Sequence, residues 1–368
     1  MKIANYELKR PDELETPVLI VYEHLVKKNI SEILKIAGSP DKVIPHFKTH
    51  KSIQVLRMQI AAGFRSMKCA TLREAEVLAE NGASEVLLAY PMIHPKKLKR
   101  FINLINNFPD VTFKLIVGTP QHLEALSPAL KSNDSQIGVY LDLDTGMRRT
   151  GIQPGKEALE MYSKISQYSN IIPLGVHVFD GQALYKPDLQ ERKNIVSETL
   201  NSIDQIWEHA QKNNLNISDN VVAGSWTFHL YPDRPNIRIS PGTWIYWDSR
   251  NATMEELNFN VAAIVLGQVI DHDPQKDTIT TDIGSKACSP DQPTEHRFKL
   301  IGYPKAVVTA QSEEHGVIKL NGEKISIGDY VLAAPGHACT AVVKYPYSLV
   351  SDPSGEIIGK YNHDARDH

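Results

Sequence analysis

The sequence predicts an α/β protein, a (β/α)8 TIM-type barrel with a second, mainly antiparallel β domain. Three observations lead there. Short apolar, β-branched runs alternate with helix-patterned stretches from about Val18 to Gly242, the pattern of parallel βαβ units. Counting from Val43 there are eight such runs, the number that closes a barrel. After about Trp244 the runs follow one another without helices between them, as in an antiparallel domain. An open doubly wound sheet would prefer a glycine-rich first turn, and none follows Val18–Tyr22.

The elements fall in order. After the lead-in Val18–Tyr22, a helix is expected from His24 to Ala37. Barrel strands are expected at Val43–Phe47, Ser66–Ala70, Glu85–Tyr90, Phe113–Val117, Ile137–Leu143, Leu174–Phe179, Asn220–Ala223 and Asn236–Ser240. Their near-continuous apolar character suits strands covered on both faces. Helices are expected at Leu72–Asn81, Pro95–Asn106, Pro120–Leu130 and Asp188–Asn213, the first opened by the capping box Thr71-Leu-Arg-Glu74. In the second domain, strands are expected at Val261–Val269, Thr278–Asp282, Ala306–Gln311, Gly316–Leu320, Tyr330–Ala334, Thr340–Lys344 and Glu356–Gly359, with a hairpin turn at Asn321-Gly322. The expected boundaries are 23–244 for the barrel and 1–22 plus 245–368 for the β domain, the lead-in strand pairing with the latter.

Composition narrows the function. Hydrophobic residues make up 42% and charged residues 23% of the 368, an ordinary globular balance. The net charge of −3 gives no basic excess for nucleic acid. No apolar run approaches the roughly 20 residues of a membrane helix, so no membrane partner is expected. Cys69, Cys288 and Cys339 are too few for a disulfide framework, and a reducing, cytoplasmic setting is expected.

Several motifs sit where barrel strands end, the position of barrel active sites. Lys48 follows the first run, inside Pro45-His-Phe-Lys-Thr-His-Lys51. A lysine there can form an imine with a carbonyl compound, although position alone favours a solvated loop lysine. Asp144-Thr-Gly-Met-Arg-Arg-Thr-Gly151 sets an arginine fork beside two glycines; an ordinary turn with a surface arginine reads equally well. Gly224-Ser-Trp-Thr227 and Ser240-Pro-Gly-Thr243 follow runs seven and eight, where barrels frequently bind phosphate; glycine and serine are also ordinary turn residues. His177 and Gln182, at the end of run six, could face a bound ring, and a core histidine is the alternative for His177. His337 and Cys339, two apart on an expected strand, would share one face and suit zinc; a buried Cys beside a surface His is the commoner arrangement.

Taken together, these segments resemble the fold-type III pyridoxal-phosphate enzymes, in particular the D-threonine aldolase and D-serine dehydratase branch, with its alanine racemase-like barrel. Also part of the resemblance are Cys69-Ala-Thr-Leu-Arg-Glu-Ala-Glu76, Gly175-Val-His-Val-Phe-Asp-Gly181, Thr281-Asp-Ile-Gly-Ser-Lys-Ala287 and Pro335-Gly-His-Ala-Cys-Thr340. The resemblance implies that Lys48 holds pyridoxal 5′-phosphate as an imine and that Arg149 stands beside the pyridine ring. It implies that Gly224, Ser225, Trp226, Gly242 and Thr243 bind the phosphate. His337 and Cys339 are implied as ligands of a divalent metal, zinc or manganese. A homodimer with shared active sites is implied as well, together with a β-hydroxy D-amino acid substrate. The implied reaction is Cα–Cβ cleavage to glycine and an aldehyde. The alternative is elimination to a 2-oxo acid and ammonia; an amino-acid racemase is a third reading, and a non-catalytic cofactor carrier a fourth. The chain departs from the family pattern at Ile44, where arginine is frequent, and at Gln182 and Ser285, where histidine is common. Its Gly224-Ser-Trp-Thr227 replaces a Gly-Gly-(Ser/Thr)-Pro-Thr loop.

Overall fold

The computed structural model describes all 368 residues. In chain order its main elements begin with β1 (Val18–Tyr22), α1 (Glu23–Ala37), α2 (Ile53–Ala61), β2 (Ser66–Cys69), α3 (Leu72–Glu80), β3 (Glu85–Leu88) and α4 (Pro95–Asn107). Next come β4 (Thr112–Val117), α5 (Pro120–Lys131), β5 (Ile137–Leu143), α6 (Lys156–Ile165), β6 (Ile171–Val178), α7 (Leu189–Lys212), β7 (Asn220–Val222) and β8 (Ile237–Ile239). The remainder is β9 (Ala263–Asp273), β10 (Thr278–Thr281), β11 (Phe298–Leu300), β12 (Val307–Gln311), β13 (Gly316–Lys319), β14 (Tyr330–Pro335), α8 (Ala338–Val342), β15 (Tyr347–Ser351) and β16 (Ile357–Asn362). Two compact units result: one of residues 34–48, 56–242 and 367–368, the other of residues 1–33, 49–55 and 243–366.

The first unit is the barrel. Its seven regular strands, β2 to β8, pair in sequence order and in parallel. The expected first strand, Val43–Phe47, is not a regular strand. It keeps only single bridges, Val43 to Ile239 and His46 to Lys68, before a 3-10 turn over Phe47–Thr49. Pro45 explains this, because it has no N–H for a ladder. The segment still bonds to both edge strands: Ile44 N–H donates to Ile239 O at 2.8 Å, and Lys68 N–H to Pro45 O at 2.9 Å. It thereby takes the eighth position in the ring.

Local sequence accounts for the helices around it. Thr71 accepts from Glu74 N–H at 3.1 Å, as the capping box predicts, while the Glu74 carboxylate reaches back to Ala70 N–H at 2.6 Å. The lumen is layered. At the N-terminal end of the strands, Arg238 donates to Asp219, to Glu85 at 2.9 Å, to Ser66 at 3.2 Å and to the Tyr140 hydroxyl at 2.9 Å. Lys114 pairs with Glu85 there at 2.7 Å. Above this ionic layer Ile44, Leu87, Ile116, Tyr140 and Val221 form a buried apolar cluster, each side chain contributing about 1.5–3 kcal/mol.

The second unit is β-rich. The lead-in strand β1 pairs with it as expected, antiparallel to β9 and parallel to β15. Strand β9 also pairs with β10 and β14, and β13 joins β10 to β12. Strands β11 and β15 were not foreseen. The expected strand Thr340–Lys344 is instead the end of the short helix α8 and the turn after it. His337 and Cys339 therefore lie at a helix N-cap and in its first turn, not two apart on a strand.

Candidate active site

The barrel mouth gathers the first group of chemical residues. Lys48 is half-buried in the 3-10 turn after the bridging segment. The next lumen strand, β2, carries Lys68, which is 3% exposed. Burial, reinforced by the charges of Lys48 and Arg149 and opposed by Asp180 and Asp142, pushes the Lys68 amine down to about 7.

Strands β5 and β6 supply a buried carboxylate–imidazole pair. Asp142 Oδ1 meets His177 Nδ1 at 2.8 Å, and Asp142 Oδ2 accepts from the Thr150 hydroxyl at 2.8 Å. Burial holds His177 below its ordinary value. Burial opposes ionisation of Asp142, yet its bonds to His177 and Thr150 outweigh this and lower it. The pair is thus a carboxylate accepting Nδ1–H from a neutral imidazole, with the buried Nε2 left without a partner. The Asp144–Gly151 turn is drawn tight by Asp144 Oδ1, which accepts from Gly146 N–H and Arg148 N–H. Gly151 has φ +99°, and a Cβ there would lie 2.8 Å from Asp142 O. The turn leaves Arg149 exposed, its guanidinium 4.7 Å from the Phe179 ring centroid. Gln182 anchors to the same turn, donating to Thr145 O at 3.0 Å, while its Oε1 is unpaired.

Asp180, fully buried and raised by that burial, accepts from Gly224 N–H at 2.7 Å and from the Tyr231 hydroxyl at 2.9 Å. The Gly224 N–H is thus already engaged. A Cβ at 224 would come 3.0 Å from the Phe179 ring, so glycine lets this loop pack closely. Ser225 is half-buried and Trp226 buried beyond it. Ser240 donates to Ile44 O at 2.6 Å, and Gly242, two residues on, is buried.

The β-rich unit holds a second group. His337 Nδ1 lies 2.6 Å from Asp291 Oδ2, and Thr340 donates to Asp291 Oδ1 at 3.0 Å. The ring also contacts the Cys339 sulfur; burial opposes its protonation, but Asp291 and Cys339 prevail and push His337 up to about 10. Cys339 Sγ is 3.2 Å from the Thr49 hydroxyl and 3.9 Å from that of Thr243. Asp248, raised to about 6 by burial, accepts from Ala338 N–H at 3.2 Å and Asn251 N–H at 2.8 Å, fixing the turn that carries both side chains. No three His, Cys, Asp or Glu side chains converge as a metal cage. The sequence reading missed Lys68, Asp142, Asp180 and Asp291. A charged residue inside a strand run was the available signal for the first two, and Asp291 carries none.

The residues fit both groups that the resemblance implies. His177 Nε2 and Gln182 Oε1 are buried polar atoms without a partner in the chain, in need of a ligand such as a phosphorylated pyridine would supply. An imidazole whose other nitrogen is held by a carboxylate, beside a thiol, is a donor set for a divalent cation, which would displace the ring proton. The parallel barrel with a separate β-rich unit is the alanine racemase-like fold of the fold-type III pyridoxal-phosphate enzymes, and the match of a family model assigns the chain to that class. The alanine racemase N-terminal domain model matches residues 23–250, and the chain belongs to that family. A serine dehydratase domain model matches residues 262–351. The chain is similar to 3-hydroxy-D-aspartate aldolase of Paracoccus denitrificans, 22% identical over 88% of this chain and 85% of the relative. It is similar to D-threo-3-hydroxyaspartate dehydratase of Delftia sp., 24% identical over 93% and 96%. Among solved structures, D-threonine aldolase from Filomicrobium marinum superposes with a TM-score of 0.87 at 20% identity, covering 99% of each chain.

Proposed function

We propose that the protein is a pyridoxal-phosphate- and divalent-metal-dependent lyase acting on β-hydroxy D-amino acids. It cleaves Cα–Cβ to give glycine and an aldehyde, as a D-threonine aldolase does. The observation that carries the reading is the barrel mouth itself, which holds Lys48 and the buried Asp142–His177 pair with the imidazole Nε2 left without a partner. Lys48 Nζ would hold the cofactor covalently, with Arg149, His177 and Gln182 around the ring and Gly224, Ser225, Trp226, Gly242 and Thr243 around the phosphate. When bound, pyridoxal phosphate supplies an electron sink for charge developing at Cα. Asp142 fixes the His177 tautomer so that Nε2 accepts a hydrogen bond rather than donating one. Asp180 holds the Gly224 loop in place through its backbone. His337 and Cys339 would hold zinc or manganese, a Lewis acid for the β-hydroxyl, with Asp291 orienting the imidazole. A homodimer with shared sites and a reducing, cytoplasmic setting belong to the same reading; the setting rests on there being only three cysteines, too few for a disulfide framework.

Elimination to a 2-oxo acid and ammonia is the second reading, favoured by the His337-Ala338-Cys339 arrangement and by the dehydratase relative. Purified enzyme incubated with D-threonine, D-serine and D-threo-3-hydroxyaspartate separates the two. Glycine plus aldehyde, lost with chelator, is the expected result. A 2-oxo acid with ammonia would replace it by the second reading, and neither product from any of the three would refute both. Sedimentation at the mass of two chains tests the dimer.

A further inference from the structure

Lys68 is a buried titratable side chain in register with the apolar layer of the lumen. Two residues before it on β2, Ser66 faces the lumen and bonds to Arg238 in the ionic layer. Side chains two apart on a strand share a face, so Lys68 points into the lumen one level higher. Register agrees: Lys68 pairs with Leu87, a member of the apolar cluster. The flanking Met67 and Cys69, both fully buried, take the opposite face. Its backbone N–H bonds to Pro45 O, and the residue bridges to His46, so Lys68 lies beside the segment that ends in Lys48.

The ammonium gains no ion pair or side-chain hydrogen bond here, although the residue is 3% exposed. Lys48 and Arg149 repel its charge; Asp180 and Asp142 attract it, and the neighbouring His177 is neutral. Burial outweighs the attraction, and at neutral pH a large share of Lys68 is the free amine. The lone pair of a free amine is the nucleophilic form that condenses with carbonyls.

We propose that Lys68 is a second carbonyl-reactive amine of the barrel lumen, able to take the same aldehyde ligand as Lys48. The amine nitrogen bonds to the aldehyde carbon, and the carbonyl oxygen departs as water with both amine hydrogens. No oxidant or reductant is consumed. The proposal rests on the assignment of pyridoxal phosphate to this lumen.

Reductive trapping tests it. The full chain is mixed with pyridoxal phosphate, reduced with borohydride and mapped by peptide mass spectrometry. Wild type carries the label on Lys48. Lys48→Ala carries it on Lys68, with labelling that rises with pH by up to about tenfold per unit and levels off somewhat above pH 7, because the Lys48 charge that helps hold Lys68 down is gone. Adding Lys68→Met or Lys68→Arg to Lys48→Ala reduces lumen labelling to background. If wild type is labelled at Lys48 while Lys48→Ala, with wild-type circular dichroism, stays unlabelled at Lys68, the proposal fails and the cofactor assignment stands. If wild type is labelled at neither lysine, both fail. Lys48→Gln replaces Lys48→Ala if the latter does not fold.

Discussion

Replacing Lys68 by methionine should stabilise the barrel, by an amount that depends on pH. Methionine nearly matches the lysine stem in volume, so the neighbouring apolar side chains keep their contacts. What changes is the charge. Lys68 falls from 10.5 to about 7 on burial, a difference of about 5 kcal/mol between its two protonation states. A lysine whose folded pKa lies below its unfolded one opposes folding fully at pH below about 7, and this opposition fades as pH rises to 10.5. Wild-type stability should therefore climb across that window by up to about 1.4 kcal/mol per pH unit from this residue. Lys68→Met lacks that slope. Urea unfolding of both cofactor-free proteins at pH 6.5 and pH 10 would measure it. At pH 6.5 the variant should be more stable by about 2–5 kcal/mol, and near pH 10 the two should converge. A difference that does not change with pH, or a variant less stable at pH 6.5, would refute the conclusion that burial of Lys68 outweighs the attraction of Asp180 and Asp142.

Three other outcomes follow from the same structure. Arg238→Ala leaves Asp219 and Glu85 without their shared cation and should cost about 3–5 kcal/mol in urea unfolding. Gly175 has φ +149°, and a Cβ there would lie 1.8 Å from Asp219 O, so Gly175→Ala should lose at least about 1–3 kcal/mol, read as a lowered thermal midpoint. Asp291→Ala removes the carboxylate that holds His337, and zinc affinity measured against a competing chelator should fall about 10- to 100-fold.

Much of the barrel was legible because its buried strands are short apolar runs punctuated by helix signals such as Thr71 and Glu74. Legibility failed where a residue's backbone chemistry or a distant partner decides the outcome. Val43–Phe47 reads as a strand by side chains, yet Pro45 leaves it with single bridges to β8 and β2. Thr340–Lys344 has strand-like composition, yet Asp248, some 90 residues earlier, accepts Ala338 N–H at the start of α8. Lys48, Arg149, His177, His337 and Cys339 could be nominated from motifs. The carboxylates that orient two of them could not be paired with their histidines, because Asp142 and Asp291 lie 35 and 46 residues away, although a charge inside a strand run marked Asp142 as unusual.

By itself the sequence determined the α/β class, the lead-in strand's place in the β-rich unit and the residue types available for carbonyl and metal chemistry. These follow from local periodicity and side-chain identity, which every short stretch of chain carries with it. The tertiary structure alone decided which nitrogen of His177 lacks a partner, that the Gly224 N–H is engaged, and that Lys68 lies beside the segment that ends in Lys48. Protonation and hydrogen-bond capacity depend on burial and on neighbours brought together only when the ring of strands closes.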